Sequence, residues 1–318
     1  MNKNGIVLKK TNKRDAGSFL LFVFLLPYIC ACLWGHAGEE KERLGTDNAE
    51  QEDHRVEAVV EWGIWELPME EYLVYRLFQI MPQDYELEAL KAQAVLLRTE
   101  LAAQYSEEGE SIRVTGDGLT RFYAEEEATE ALARSRQAVE ETAGMILTYQ
   151  GVPIRASYFM VSNGRTRATE EEECPYLSEV ACEQDKSSPD FSSVVEVEKE
   201  VYIEMLVRIL GEDCDMEEIW ENGEFVFDDA GYLTSVSYLT KKQEEKRVDG
   251  ETFRHLFGLA SASFQVSWEK ERVLFNVTGV GHGFGMGQYG ANCKAKEGET
   301  YEGILADFFF RTELAKFE

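Results

Sequence analysis

The stretch Gly279-Val-Gly-His-Gly-Phe-Gly-Met-Gly-Gln-Tyr-Gly-Ala291 constrains this chain more than any other. Glycine stands at 279, 281, 283, 285 and 287. A segment held extended would therefore present one bare face and one carrying Val280, His282, Phe284, Met286 and Gln288. Glycine inside a strand gives up backbone entropy and side-chain packing. Five in alternation point to close approach of another chain segment, a ring or a ligand, at a bend or a groove. A flexible glycine loop is the alternative, and the strict interleaving of aromatic and polar residues argues against it.

The rest of the sequence supplies a core for that stretch to meet. Its 318 residues are 44% hydrophobic, enough for one large or two ordinary domains. A formal charge of -28 argues against a nucleic-acid partner, whose phosphates would repel it. The positive charge is unevenly placed, because Lys3, Lys9, Lys10, Lys13 and Arg14 fall within residues 1–16. Residues 17–38 then contain no Asp, Glu, Lys or Arg, about the length that crosses a bilayer, and the basic flank fits a cytoplasmic end. The expectation is a basic cytoplasmic tail at 1–16, a transmembrane anchor or signal segment at 17–38 and an acidic linker at 39–54. The folded part, 55–318, would then lie outside the cytoplasm of a single-pass cell-membrane protein. A cleaved signal peptide, or lipid attachment near Cys30 and Cys32, is the rival and exports the same body. Beyond that segment stand Cys174, Cys182, Cys214 and Cys293, which make no paired zinc signature. A Cys174–Cys182 disulfide and free thiols are both open.

Val56 to Leu67 alternates as a strand, and Pro68 precedes an amphipathic helix over 69–79 that Met81-Pro82 ends. The clearest helix is 86–105, with Leu87, Leu90, Ala94, Leu97 and Leu101 on one stripe. Lys91 and Arg98, seven apart, border that stripe. They either reach out to solvent, pair with Asp84, Glu86 or Glu88, or aim into a cleft as donors to anionic or sugar oxygens. Strand character returns over 111–123, followed by a helix at 128–141 and a hairpin about Gln150-Gly151. Residues 170–190 read as irregular, 201–210 as a short helix, and 225–240 as a second hairpin. Asp249 and Thr300 cap two further helices, and Phe264–Trp268 with Val273–Val277 lead into the glycine stretch. The fold class is α+β: mixed helices and antiparallel hairpins in one globular unit, with room for lobes, behind an N-terminal membrane anchor.

Four histidines and no HExxH argue against a zinc hydrolase. His255 lies among Phe253, Leu256 and Phe257 as a core residue would. His282 sits in the glycine stretch, either as a structural imidazole or as a donor or general acid/base facing Lys91 and Arg98. No nucleophile elbow, P-loop or dinucleotide fingerprint is present.

Met69-Glu-Glu-Tyr-Leu, Met81-Pro, Glu88-Ala-Leu-Lys-Ala-Gln-Ala-Val with Arg98-Thr99, Arg254 with Leu256, and the glycine stretch followed by Gly298, Tyr301, Ile304 and Leu305 resemble the stage II sporulation protein D / amidase enhancer (SpoIID/LytB) family over 55–318. The resemblance implies a membrane-anchored protein acting on peptidoglycan during engulfment of the forespore. Sporulation members are lytic transglycosylases that cut glycan strands stripped of stem peptides by a partner amidase. Amidase enhancers instead bind wall and stimulate an amidase. Its implied partners are glycan strands, a cell-wall amidase or other engulfment proteins, and the membrane, without a cofactor.

The resemblance also implies substrate-binding roles for Lys91, Arg98, His282, Gln288 and Tyr289. It breaks at the acid. Family enzymes carry Glu directly before the Met-Pro, and here that position is Ile80, whose hydrocarbon side chain delivers no proton. Glu86 and Glu88 are the neighbouring carboxylates, and Glu88 is a candidate although it matches a family glutamate of its own. Phe159 follows Tyr158 where a metal-binding His would be sought, so no metal is expected. The expectation is a wall-binding protein with weak or no catalysis; the alternative is an active transglycosylase using another acid.

Overall fold

Helix α2, Leu87–Glu108, is buried at every residue from Ala92 to Thr99, because small and aliphatic side chains occupy all of these positions except Gln93, Arg98 and Thr99. A helix apolar on all sides is one that neighbours surround, rather than one laid on a surface by a single stripe. Around α2 pack α1 (Met69–Ile80), α3 (Thr129–Glu141) and strand β4 (Met145–Tyr149). The computed structural model describes residues 54–61, 63–108, 112–119, 129–211, 214, 219–220 and 222–317, and Glu52–Glu318 cluster as one compact unit. The basic tail, the apolar segment and the linker up to residue 53 lie outside the described residues. The described part is α+β, with seven α-helices and mostly antiparallel sheets.

The strand expected from Val56 is a hairpin, β1 (Arg55–Val60) with β2 (Gly63–Pro68), and β3 (Ile112–Thr115) adds to β1 in parallel. The turn at Gln150 and Gly151, with φ of 53° and 80°, joins β4 to β5 (Val152–Pro153), as the Gln-Gly pair suggests. At the far end of the chain β14 (Glu313–Lys316) pairs with β4, and Phe317 stacks on His54 with ring centroids 4.4 Å apart. Strand β6 (Tyr158–Phe159) pairs in parallel with β13 (Met286–Gly287), inside the glycine stretch.

A second, aromatic core lies between two sheets. One is β7 (Ser192–Glu198), β12 (Arg272–Thr278) and β11 (Phe264–Trp268), with β12 central. The other is the meander β8 (Glu224–Phe227), β9 (Leu233–Leu239) and β10 (Glu245–Asp249). Helix α4 (Lys199–Leu210) contributes Tyr202, and α5 (Gly250–Leu256), capped by Asp249 accepting from the Thr252 N–H at 2.9 Å, contributes Phe253. Strand β7, beyond the irregular 170–190 run, has only Val197 buried along its length, so its alternation is faint in sequence.

The glycine stretch is not extended. Gly279, Gly281, Gly283 and Gly285 take φ of 80°, 111°, 84° and 74°, so the chain snakes and no single bare face forms. Close approach is what the glycines serve. A Cβ on Gly285 would lie 2.0 Å from the Ser157 carbonyl oxygen. The stretch runs directly into helix α6 (Gln288–Lys296), which the sequence did not signal because Gly287 caps it without a side-chain hydrogen bond. Helix α7 (Tyr301–Phe308) follows, with Thr300 as its cap.

Candidate functional site

The two motif-bearing ends of the chain meet. Gln288 on α6 donates from Nε2 to Gln93 Oε1 on α2 at 3.2 Å, and Asn292 Oδ1 accepts from the Glu86 N–H at 2.8 Å. Glu88 closes the contact with α7: one carboxylate oxygen accepts from the Tyr301 N–H at 2.8 Å, the other from Lys91 Nζ at 2.7 Å. A carboxylate at a helix N-terminus is stabilised by the exposed N–H groups there. Glu88 therefore works as a bracket between helices, the pairing with Lys91 that the sequence left open.

Lys91 also meets Glu141 at 2.5 Å and lies 5.9 Å from the centre of the Tyr301 ring. Burial opposes its charge, but the hydrogen bonds with Glu141 and Glu88 outweigh this and raise its pKa. Arg98 has no exposed side-chain surface. Its guanidinium makes a two-pronged ion pair with Glu70 at 2.6 and 2.7 Å and donates to the Met145 and Val139 carbonyls at 3.1 and 3.3 Å. Arg98 thus ties α1, α2, α3 and β4 together instead of bordering a cleft. Tyr289 shares a 3.1 Å hydrogen bond with Ser187, and Ile80 ends α1 half-buried against the first core.

His282 is held by backbone. Its Nδ1 accepts from the Phe284 N–H at 3.1 Å and the ring hydrogen-bonds to the backbone of Tyr158, beside Phe159 at 5.7 Å. Burial lowers its pKa, with the charge of Glu251 pulling the other way. Among the described residues Lys91, Arg98 and His282 share no hydrogen-bond partner. One consequence concerns acid. Below the ordinary histidine value of 6.5 the unfolded chain takes up the proton before the folded one, so folding stability falls as pH drops from there through the lower folded value. His282→Gln is expected to flatten that part of a urea-midpoint profile between about pH 7.5 and 5; an unchanged slope would assign the sensitivity elsewhere.

Two features had no signal in the sequence reading. Arg167 is clamped between the two cores: Nε pairs with Asp228 at 2.6 Å, Nη1 donates to the His282 carbonyl at 3.3 Å, and the guanidinium lies 4.3 Å from the centre of the Phe284 ring. The second is a cavity of about 200 Å3 between α1, α2 and β3, lined by Tyr72, Arg76, Glu100 and Gln104 among others. Desolvation raises the pKa of the Glu100 carboxyl in its wall, partly offset by Arg76. Arg76 also hydrogen-bonds Tyr158, the residue whose backbone holds His282. The i, i+4 pair Tyr72 and Arg76 on α1 marks this face in retrospect.

Behind the glycine stretch lies Asp185, wholly buried. Its Oδ2 accepts from the Ser162 N–H at 2.8 Å and its Oδ1 has no partner among the described residues. Cys174 and Cys182 are both buried free thiols, which resolves that alternative.

A helix surrounded on all sides, docked by a glycine turn that opens a second helix, defines an α+β domain in which Arg98 and Gln288 are buried while Lys91, His282 and Tyr289 keep part of their surface. Residues 61–149 match the model of the family SpoIID, described as stage II sporulation protein. The chain is 29% identical over 272 residues to stage II sporulation protein D of Bacillus subtilis (strain 168), spanning 79% of this chain and 75% of that protein. It is 28% identical over 270 residues to stage II sporulation protein D of Bacillus amyloliquefaciens, with the same shares covered. It is also 24% identical over 293 residues to the amidase enhancer of Bacillus subtilis (strain 168), which covers 74% of this chain but 39% of that protein.

Proposed function

We propose that this protein binds the glycan strands of peptidoglycan and supports their remodelling during sporulation, with weak or no cleavage of its own. Its match to the SpoIID family model supports the sporulation setting, and the name of the third relative supports a partner amidase at the wall. The observation that carries the weak-catalysis part is Ile80, a hydrocarbon at the end of α1 where the resemblance calls for a proton donor. Glu88 does not replace it, since both of its oxygens are bonded to other protein groups. The apolar segment 17–38 would hold the domain outside the cytoplasm.

Incubation of the full chain with insoluble peptidoglycan is expected to retain it in the pellet, and incubation with stem-free strands to release no anhydro-muramic ends. Soluble anhydro-muramic products would overturn the weak-catalysis part and favour the second reading, a lytic transglycosylase. Glu100, which lines the cavity with Arg76 and whose carboxyl pKa is raised by desolvation, would be the donor in that case. Glu100→Gln would then abolish the products.

A further inference from the structure

The cavity of about 200 Å3 between α1, α2 and β3 is lined by two opposite charges that do not touch. Helix α1 brings Tyr72 and Arg76 to it and α2 brings Glu100 and Gln104, an i, i+4 pair from one face of each helix. Among the described residues the side chains of Glu100 and Gln104 make no hydrogen bond and no ion pair. Arg76 is near enough to offset part of the desolvation that raises the Glu100 pKa, yet the two form no ion pair. The same two helices do close such a pair elsewhere, where Arg98 meets Glu70 at 2.6 Å.

The neighbours decide which groups have capacity to spare. Arg76 Nη1 donates to Gln79 Oε1 at 3.3 Å and the guanidinium also bonds Tyr158, contacts that anchor it and leave further N–H donors. Arg113, the other cation in the lining, is already paired with Glu57 at 2.9 Å. The Tyr72 hydroxyl donates to the Thr115 carbonyl at 3.2 Å. Glu100 and Gln104 on α2 therefore face Arg76 on α1 as the groups that can still bond a guest. The space beside them is aliphatic, because Leu73, Leu97 and Leu101, all buried, line it with Val114.

A purely anionic guest would be repelled by the Glu100 carboxylate and a purely cationic one by the Arg76 guanidinium, and an apolar guest would strip water from both charges without pairing either. A guest with an ammonium and a carboxylate close together satisfies both through charge-assisted hydrogen bonds. Its body has to be small and aliphatic, because the volume is below the roughly 300–1,000 Å3 of drug-sized sites and leucines line it. We propose that this cavity binds a free aliphatic α-amino acid as the zwitterion, with the ammonium on Glu100 and the carboxylate on Arg76. The site goes beyond the glycan reading above and stands or falls separately from it.

The test titrates the D and L forms of alanine and leucine into the full chain by calorimetry, followed by the N-acetyl and amide derivatives of whichever binds tightest. At least one free amino acid is expected to bind, and blocking either its amine or its carboxylate to weaken it by about tenfold or more. This comparison needs no variant, so it holds even if a substitution disturbs folding. Glu100→Gln and Arg76→Met, checked by thermal melts, are expected to lose a similar factor. Acetylating the amine should then cost Glu100→Gln no further affinity, and amidating the carboxylate should cost Arg76→Met none, which ties each charge to its own partner. Failure of all four amino acids to bind overturns the proposal, as does binding indifferent to blocking of either end. Full affinity in both variants places the amino acid elsewhere and overturns it too. Retention of the wild type on insoluble peptidoglycan, measured alongside, reports on the glycan reading alone.

Discussion

Glu70→Ala is expected to destabilise the folded domain by ~3–5 kcal/mol, the range for removing one partner of a buried ion pair. The asymmetry of the pair sets the ranking. The side chain of Glu70 is 42% exposed, whereas that of Arg98 is 0% exposed. Removing the carboxylate strands a guanidinium that water does not reach. Removing the guanidinium leaves a carboxylate that water does reach, so Arg98→Met, which also keeps most of the volume, is expected to lose less. The double variant should recover part of the loss, since apolar replacement of both members of such a pair is often close to neutral. Urea unfolding of the three variants measures this, and a thermal melt should show a fall of about 10 °C in the midpoint for Glu70→Ala. A Glu70→Ala protein within about 0.5 kcal/mol of wild type would mean that Arg98 finds another partner, and its role as a tie between α1, α2, α3 and β4 would be lost.

The second large effect is Gly285→Ala. Its φ of +74° already strains an L-residue by ~1–2 kcal/mol, and the added Cβ would sit 2.0 Å from the Ser157 carbonyl oxygen, a backbone atom of the strand-bearing segment that the stretch docks on. Gly298→Ala is the matched control, with φ of +94° and nothing within 4 Å of the added atom. The control is expected to show the conformational strain alone, and Gly285→Ala to exceed it by ~2 kcal/mol or more as the β6–β13 pairing is pushed apart. Equal losses in the two variants, measured by the same unfolding midpoints, would remove close approach as the reason for the glycines.

These two sites show where the sequence was legible. Features decided within a few residues were readable: the run of α1 up to Met81-Pro82, the Gln150-Gly151 turn, and the caps at Asp249 and Thr300, whose side chains accept from the N–H of Thr252 and Gly303. The resemblance to the SpoIID family was carried by such local motifs and is matched over residues 61–149. What depended on distant partners was not readable. Arg98 faces inward because Glu70, 28 positions earlier, supplies the opposite charge, and helical spacing alone placed it at the edge of a stripe. The glycine period suggested a strand, but a period of two describes positions and not φ, and the chain took left-handed values at alternate residues. Strands β7 and β14 pair with β12 and β4 far along the chain, so neither has a turn to announce it. Gln265, Asn276 and Val194 likewise become neighbours only through strand register.

The stacking of His54 on Phe317, with β14 zipped to β4 beside it, brings the two extremities of the described domain to one corner. Polypeptide arriving from residues before His54 and any leaving after Phe317 share that exit. A reporter or affinity handle fused downstream of Phe317 would start beside His54. A pull applied at either extremity would load that corner first, peeling a terminal strand before it reached the helices that carry the motifs.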